Sequence, residues 1–384
     1  MEKHNTKKAT ADKPAKLTKK ELEELAREKD LTIGVDLGDK QSHYCVIGDK
    51  CQVLAQGTLA TTKTGFNSLF QSLPHTTVAM EAGTHSPWAS RHLVWLGHEV
   101  IVANPRQLPL ITESKQKNDR VDAEKLARVA RMDVTLLNPI HHRSEQAQLD
   151  LGQIRMRAGL VAIRTAAINE ARGQAKSLGY RLTESDADAV NQELAADLPA
   201  AAKKNLDALL ETAADLTVRI KAADKEIQSI AKRYPEITLL TAIYGVGDLT
   251  ALTFILTIED AERFAKSREV GAYLGMVPGQ SQSGERNPQQ RITKQGDRMT
   301  RWMLVQCAHC ILKRGAPDSD LRTWGLNKIQ EQKNSKGKVR KKKVLVAVAR
   351  KLAVLMHHLW ATGEVYDPLY NTKKQEMLAK KRAA

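Results

Sequence analysis

Short apolar runs separated by polar turns fill residues 31–103, and runs of that length read as strands rather than helices. Three follow one another at 31–37, 42–48 (around Tyr44-Cys-Val-Ile) and 51–59. A fourth, Thr77-Val-Ala-Met-Glu81, and a fifth, His98-Glu-Val-Ile-Val-Ala103, are separated by helical periodicities near 64–73 and 86–96. Three hairpin strands followed by strand–helix alternation predict an α/β sheet.

The period changes beyond residue 143. Leu160, Ile163, Ala167, Ala171, Ala175 and Leu178 follow one helical stripe, and Leu206, Leu209, Leu210, Leu216, Ile220 and Ile227 follow another. With no strand signal between them, they predict two long helices packed as an antiparallel hairpin or as an intermolecular bundle. From Tyr234-Pro235 onward, helices are predicted near 260–274, 294–313 and 343–360, the last with Val344, Val348, Leu352, Leu355 and Leu359 on one core face. The expected division is a basic flexible arm (1–30), an α/β domain (31–142), a coiled-coil helical linker (143–233), a mainly α domain (234–361) and a tail (362–384).

Charge sharpens this picture. The 384 residues carry a formal net charge of +16, and such an excess on an otherwise ordinary composition points to a polyanionic partner. The first twenty residues hold seven Lys against two acids, and Lys333–Lys343 holds seven basic residues and no acid. Such runs are either solvated surface or phosphate contacts. No apolar run reaches the length of a bilayer span, no secretory signal is visible, and the four cysteines fit a reducing compartment. A cytoplasmic, membrane-free location is expected. Cys307-Ala-His-Cys310 lacks a second Cys/His pair at zinc-ligand spacing and reads as core. The five tryptophans are too scattered to predict a base-stacking platform.

Four acids carry the candidate chemistry. Asp36 and Glu81 end predicted strands, and Asp119 and Asp122, three apart in a helical segment, project from one face. Each alone reads equally as a cap or first-turn acid. Together, in the order strand-Asp, strand-Glu, helical Asp-x-x-Asp, they follow the layout of an RNase H-like site. Carboxylates gathered there repel unless a hard cation lies between them, so Mg²⁺ is the expected cofactor.

A second constellation follows in Tyr273-Leu-Gly-Met-Val-Pro-Gly-Gln-Ser281-Gln-Ser283-Gly284-Glu-Arg286 and Arg291-Ile-Thr-Lys294-Gln-Gly-Asp-Arg298-Met-Thr-Arg301. Ser283-Gly284 is ringed by basic residues, and Lys294, Arg298 and Arg301 are expected on one helical stripe. The serine reads either as part of a phosphate-binding turn or as a nucleophile helped by cations or a metal. Upstream, Gly245-Val-Gly247 has the shape of a helix-hairpin-helix turn whose N–H groups can approach a phosphate, or of a plain interhelical turn.

The acidic series, the Ile243-Tyr-Gly-Val-Gly turn and the Ser283 segment together resemble the DEDD transposases of bacterial insertion sequences, the recombinases guided by a bridge RNA encoded in the element. The resemblance runs from about residue 31 to 315, and more loosely to 361. It implies a RuvC-like N-terminal domain, a coiled-coil linker and a C-terminal transposase domain with a catalytic serine. Asp36, Glu81, Asp119 and Asp122 would then hold Mg²⁺, and Ser283, with Ser281 as fallback, would attack a DNA phosphate. The implied partners are donor and target DNA, the guide RNA and further copies of the chain, as dimers that pair into tetramers. Gly245, Gly247, Arg286, Arg291, Lys294, Arg298, Arg301, Lys341, Lys342 and Lys343 are the expected nucleic-acid contacts. The rival expectations are a hydrolytic RuvC-like nuclease and a non-catalytic nucleic-acid-binding scaffold.

Overall fold

The computed structural model describes residues 17–28, 30–107, 119–280, 288, 290–331 and 341–383. They fall into two compact units that meet in sequence between Arg143 and Ser144.

The first unit is a mixed sheet of β1 (Thr32–Asp36), β2 (Gln41–Ile47), β3 (Val53–Ala60), β4 (Thr77–Glu81) and β5 (Glu99–Ala103) in the order β3-β2-β1-β4-β5. β1–β3 are antiparallel neighbours, whereas β4 and β5 run parallel to β1. The five strands lie where the apolar runs predict them. Both faces are covered, which is why the central strands read as continuous apolar runs. Ile33, Val35, Tyr44, Val46, Val78 and Met80 share one core with Phe66 and Phe70 of α2 (Lys63–Phe70) and Leu93 of α3 (Ser86–Trp95). The opposite face lies under α4 (Asp119–Met132), where Cys45 and Ile47 meet Ala123 and Ala127.

Gly34 sets how closely α4 approaches. A Cβ on Gly34 would lie 1.9 Å from Ala123 O and 2.5 Å from Ala127 N, so only glycine permits the contact. The basic arm needs one correction. Lys19–Leu25 is a helix, α1, with a Thr18/Glu21 capping box, and its Leu25 is buried against the sheet. Residues 1–16 lie outside the described residues.

The second unit is helical. α5 (Glu145–Ser177) and α6 (Ala200–Ala231) form the antiparallel hairpin. It is stitched by Arg157–Asp224 at 2.7 Å and by Arg164, buried between Asp188 and Thr217. The stripe predicted on α5 is displaced. Ile154, Ile168, Ala171 and Ala175 face inward, while Ile163 and Leu178 are more than half exposed. Short α7 (Ile237–Thr241) leads to α8 (Asp248–Ile258), whose residues 251–258 are all buried at the centre of the core. The helix predicted at 260–274 is broken. Asp260 caps one 3₁₀ turn, a second follows at Ser267–Glu269, and only α9 (Val270–Tyr273) is α-helical.

α10 (Arg298–Ile311), α11 (Asp320–Glu331), α12 (Lys341–Thr362) and α13 (Tyr370–Ala383) complete the unit, so the expected tail is itself partly helical. By length and mean hydropathy α12 is long and apolar enough to cross a membrane, contrary to the expectation from the lengths of the apolar runs. Its Val344, Val348, Leu352 and Met356 are buried in the helical core, as a core helix requires.

Candidate active site

Asp36 and Glu81 end adjacent parallel strands, one residue beyond the Val35–Met80 pair. Side chains on paired residues share a face, and that face recurs every second residue. Asp36 and Glu81 therefore lie on the same side as Gly34 and Ala79, the side covered by α4. Asp119 and Asp122 occupy the first turn of α4, at the end of the helix nearest the carboxyl ends of the strands. Two strand ends and one helix start thus bring the four acids together electrostatically.

Burial, followed by the charges of Asp119, Asp122 and Glu81, pushes the Asp36 carboxyl up to about 6. Lys125 Nζ stands 3.4 Å from Asp122 Oδ1. Residues 108–118, which precede α4, lie outside the described residues. Among the described residues, no three His, Cys, Asp or Glu side chains are drawn into metal-holding geometry. The donor set has the all-oxygen chemistry that suits a hard divalent cation, and the raised Asp36 carboxyl marks an excess of negative charge that such a cation would relieve.

Two histidines at this end are not singled out by the sequence. His43, paired with Asp36 across β1–β2, places Nδ1 3.6 Å from Asp119 Oδ2. His85 Nε2 stands 3.6 Å from Asp39 and its Nδ1 accepts from Trp88 Nε1. A signal for His43 exists: once β1 and β2 are read as a hairpin, Asp36 and His43 come opposite each other. His142 Nε2 pairs with Ser86 Oγ at 2.8 Å.

In the second unit, Gly275 at φ +67° and Gly296 at φ +74° let two chain segments cross backbone to backbone. Thr293 N donates to Val277 O, Lys294 N to Gly275 O, and Gly279 N to Arg291 O. These bonds make a two-stranded stem of the residues on either side of the segment that holds the candidate serines. Ser281, Ser283 and Arg286 themselves lie outside the described residues.

The predicted basic stripe needs correcting. Lys294 is in the stem at φ +57°, ahead of the helix, because Gly296 turns the chain and Asp297 caps α10. Arg301 donates to the carbonyls of Leu274 and Gln295, tying the stem to α10. Arg291, Lys294 and Arg298 are exposed. Arg155 of the hairpin holds Asp297 at 2.8 Å, and that carboxylate also accepts from the Thr300 N–H. The Thr300 and Arg155 bonds hold the Asp297 carboxyl below the usual range despite its burial.

Gly245, at φ +88°, packs against α10, where its Cβ would meet Cys310 Cβ at 3.1 Å. Gly247, the N-cap of α8, is open to solvent. Asp248 in the first turn of α8 opposes an anion there. Lys341, Lys342 and Lys343 form the exposed first turn of α12 with no acid among them. Cations are disfavoured at that end of a helix dipole, so a phosphate would relieve the strain.

Both blocks match families of known proteins. Residues 33–178, from β1 through α5, match the DEDD transposase profile of the IS110 group. Residues 237–322, from α7 into α11, match the family described as transposase IS116/IS110/IS902. The transposase for insertion sequence element IS1111A of Coxiella burnetii is 27% identical over 347 residues, covering 88% of this chain and 92% of its own. The transposase for element IS1328 of Yersinia enterocolitica is 29% identical over 291 residues, covering 73% and 84%. The y4pF/y4sB protein of Sinorhizobium fredii is 30% identical over 305 residues, covering 77% and 76%. With the acidic block and the stem-and-helix block both matched and the likeness spanning most of each relative, the chain belongs to the IS116/IS110/IS902 family of transposases.

Proposed function

We propose that this DNA transposase mobilises an insertion sequence by RNA-guided strand exchange through a covalent phosphoserine. The acids of one copy of the chain and the serine segment of another would act on the same phosphate. The observation that supports this most is the acidic cluster, where burial and then the charges of three further carboxylates raise the Asp36 carboxyl to about 6. Asp36, Glu81, Asp119 and Asp122 would hold Mg²⁺, which, when bound, neutralises charge on the phosphate oxygens. The unit around them would be RuvC-like, and the α5–α6 hairpin a coiled-coil linker.

Ser283 Oγ, with Ser281 as the alternative, forms the bond to phosphorus as the phosphorus–deoxyribose bond breaks, and the departing oxygen takes up a proton. Arg286, Arg291, Lys294 and Arg298 supply positive charge around that phosphate. Arg301 acts through the stem that it ties. Gly247, Lys341, Lys342 and Lys343 contact backbone phosphates of DNA or of the guide RNA, and Gly245 shapes the turn. The working assembly is an oligomer, dimers pairing across donor and target DNA.

The test is product chemistry with purified protein, Mg²⁺, guide RNA and paired DNA substrates. Cleaved DNA is expected to remain attached to the peptide containing Ser281 and Ser283. Ser283→Ala should remove the adduct, and Asp36→Asn should slow cleavage by roughly 10²-fold or more. Free ends with no adduct from an active wild-type complex would establish the hydrolytic nuclease instead.

A further inference from the structure

One side chain at the acid end of the sheet has no role in the function proposed above: His43. It is paired with Asp36 across β1–β2, and paired residues point to the same face of a sheet. Two residues along, Gly34 and Cys45 identify that face. Gly34 abuts the backbone of α4, and Cys45 packs on Ala123 and Ala127 of the same helix. His43 therefore stands on the α4 side of the sheet, beside Asp36 and close to the first turn that carries Asp119 and Asp122. Its side chain is 28% exposed, and its Nδ1 lies 3.6 Å from Asp119 Oδ2.

That distance is informative. It is too long for a hydrogen bond. It is close to the separation of two donors that share one cation, since ligands about 2.1 Å from a metal stand about 3 Å apart at right angles and about 3.4 Å apart at tetrahedral ones. The other histidine at this end has different neighbours. His85 Nδ1 is occupied by Trp88 Nε1, and His85 Nε2 faces Asp39, a side chain that is 91% exposed and is not one of the four acids. Only His43, of the two, touches the acidic set.

An imidazole changes what such a site accepts. Mg²⁺ and Ca²⁺ seek oxygen, whereas divalent ions of the first transition series also take nitrogen. We propose that His43 is a fifth ligand of the acid site, adding one nitrogen to the oxygens of Asp36, Glu81, Asp119 and Asp122. The site then favours a transition-series divalent cation such as Mn²⁺ over Mg²⁺ more than four carboxylates alone would. The inference rests on the metal-holding part of the function proposed above and on none of its serine or RNA chemistry.

The test uses the full chain without nucleic acid, with Mn²⁺ as the probe and no readout of activity. Electron spin echo modulation of the bound ion should show a directly bonded nitrogen. Growth on heavy-nitrogen histidine should change that signal in the wild type, with no substitution needed. His43→Gln should abolish the nitrogen signal, and His85→Gln should keep it. By titration calorimetry, His43→Gln should bind Mn²⁺ roughly 10-fold or more weakly and Mg²⁺ within about twofold of wild type. Its metal-free melting temperature should stay at the wild-type value, as for a part-exposed side chain with no hydrogen bond to lose. Bound Mn²⁺ without nitrogen coupling, or coupling that survives His43→Gln, overturns the His43 assignment and leaves the acid site standing. Equal loss of Mn²⁺ and Mg²⁺ affinity overturns the selectivity and reduces His43 to a neighbour that positions Asp119. A wild type that binds neither ion removes the metal reading of the four acids, and His43 with it.

Discussion

The two units build their candidate chemistry in opposite ways. In the first, the acids sit at the ends of regular elements: Asp36 and Glu81 close neighbouring strands, and Asp119 and Asp122 open a helix. In the second, Arg291 and Lys294 stand in a two-stranded stem, and Arg298 and Arg301 in the helix that follows it, whose start is held by Arg155 of the hairpin. Charges at element ends are fixed by packing across the sheet, so their positions follow from periodicity. Charges on the stem are fixed by backbone crossings at Gly275 and Gly296 and by Arg301 bonding to carbonyls, none of which has a period.

That contrast can be broken most strongly at Gly34. Gly34→Val should drive its side chain into Ala123 O and the backbone of α4, costing about 3 kcal/mol or more. Differential scanning calorimetry would show the first unit melting early and the helical unit unchanged. An unchanged first transition would mean that packing against the sheet does not fix α4.

Titration of the cluster gives a smaller effect. The folded chain holds the Asp36 proton to about 6, above the ordinary 3.8. The folded state therefore binds more protons than the unfolded one between those values, and stability falls as pH rises through that window. Asp36→Asn should leave metal-free stability unchanged below pH 3.8 and raise it by about 2 kcal/mol above pH 6. Chemical denaturation with a chelator present at both pH values measures it. A gain that is equal at both would remove the electrostatic account.

The smallest effect falls on the second unit. Replacing Lys341, Lys342 and Lys343 together by alanine should lower the log–log salt slope of nucleic-acid binding by about three, one for each phosphate that the lysines no longer neutralise. Helix stability should hold or improve, since the dipole no longer opposes those charges. An unchanged slope would return these lysines to solvated surface.

Sequence legibility tracks the same divide. All five strands, and the first turn of α4 that carries Asp119 and Asp122, lie where the apolar runs and acidic spacing predict them. His43 escapes because its link to Asp36 runs through cross-strand register rather than sequence proximity. On α5 the apolar residues occupy two faces, so a single stripe drawn through Ile163 and Leu178 mixes the inner face with the outer one. Lys294 reads as helical because Asp297, the residue that starts α10, looks in sequence like one more polar position. At 260–274, Asp260 and the 3₁₀ turns that follow it break what composition alone presents as helical.

The Arg155–Asp297 pair has a mechanical consequence. Asp297 follows the stem directly and fixes where α10 begins, and its carboxylate is held by a guanidinium from the hairpin's first helix. Turning α5 by one residue position, about 100° around its axis, would carry that guanidinium out of reach and leave the carboxylate to the Thr300 contacts alone. Rotation of the long hairpin is therefore felt at the start of α10 in two ways at once, through this one ion pair and through Ala147, Leu151 and Ile154, which the same helix packs into the apolar core, so that the hairpin acts on the end of the stem as a lever acts on a latch.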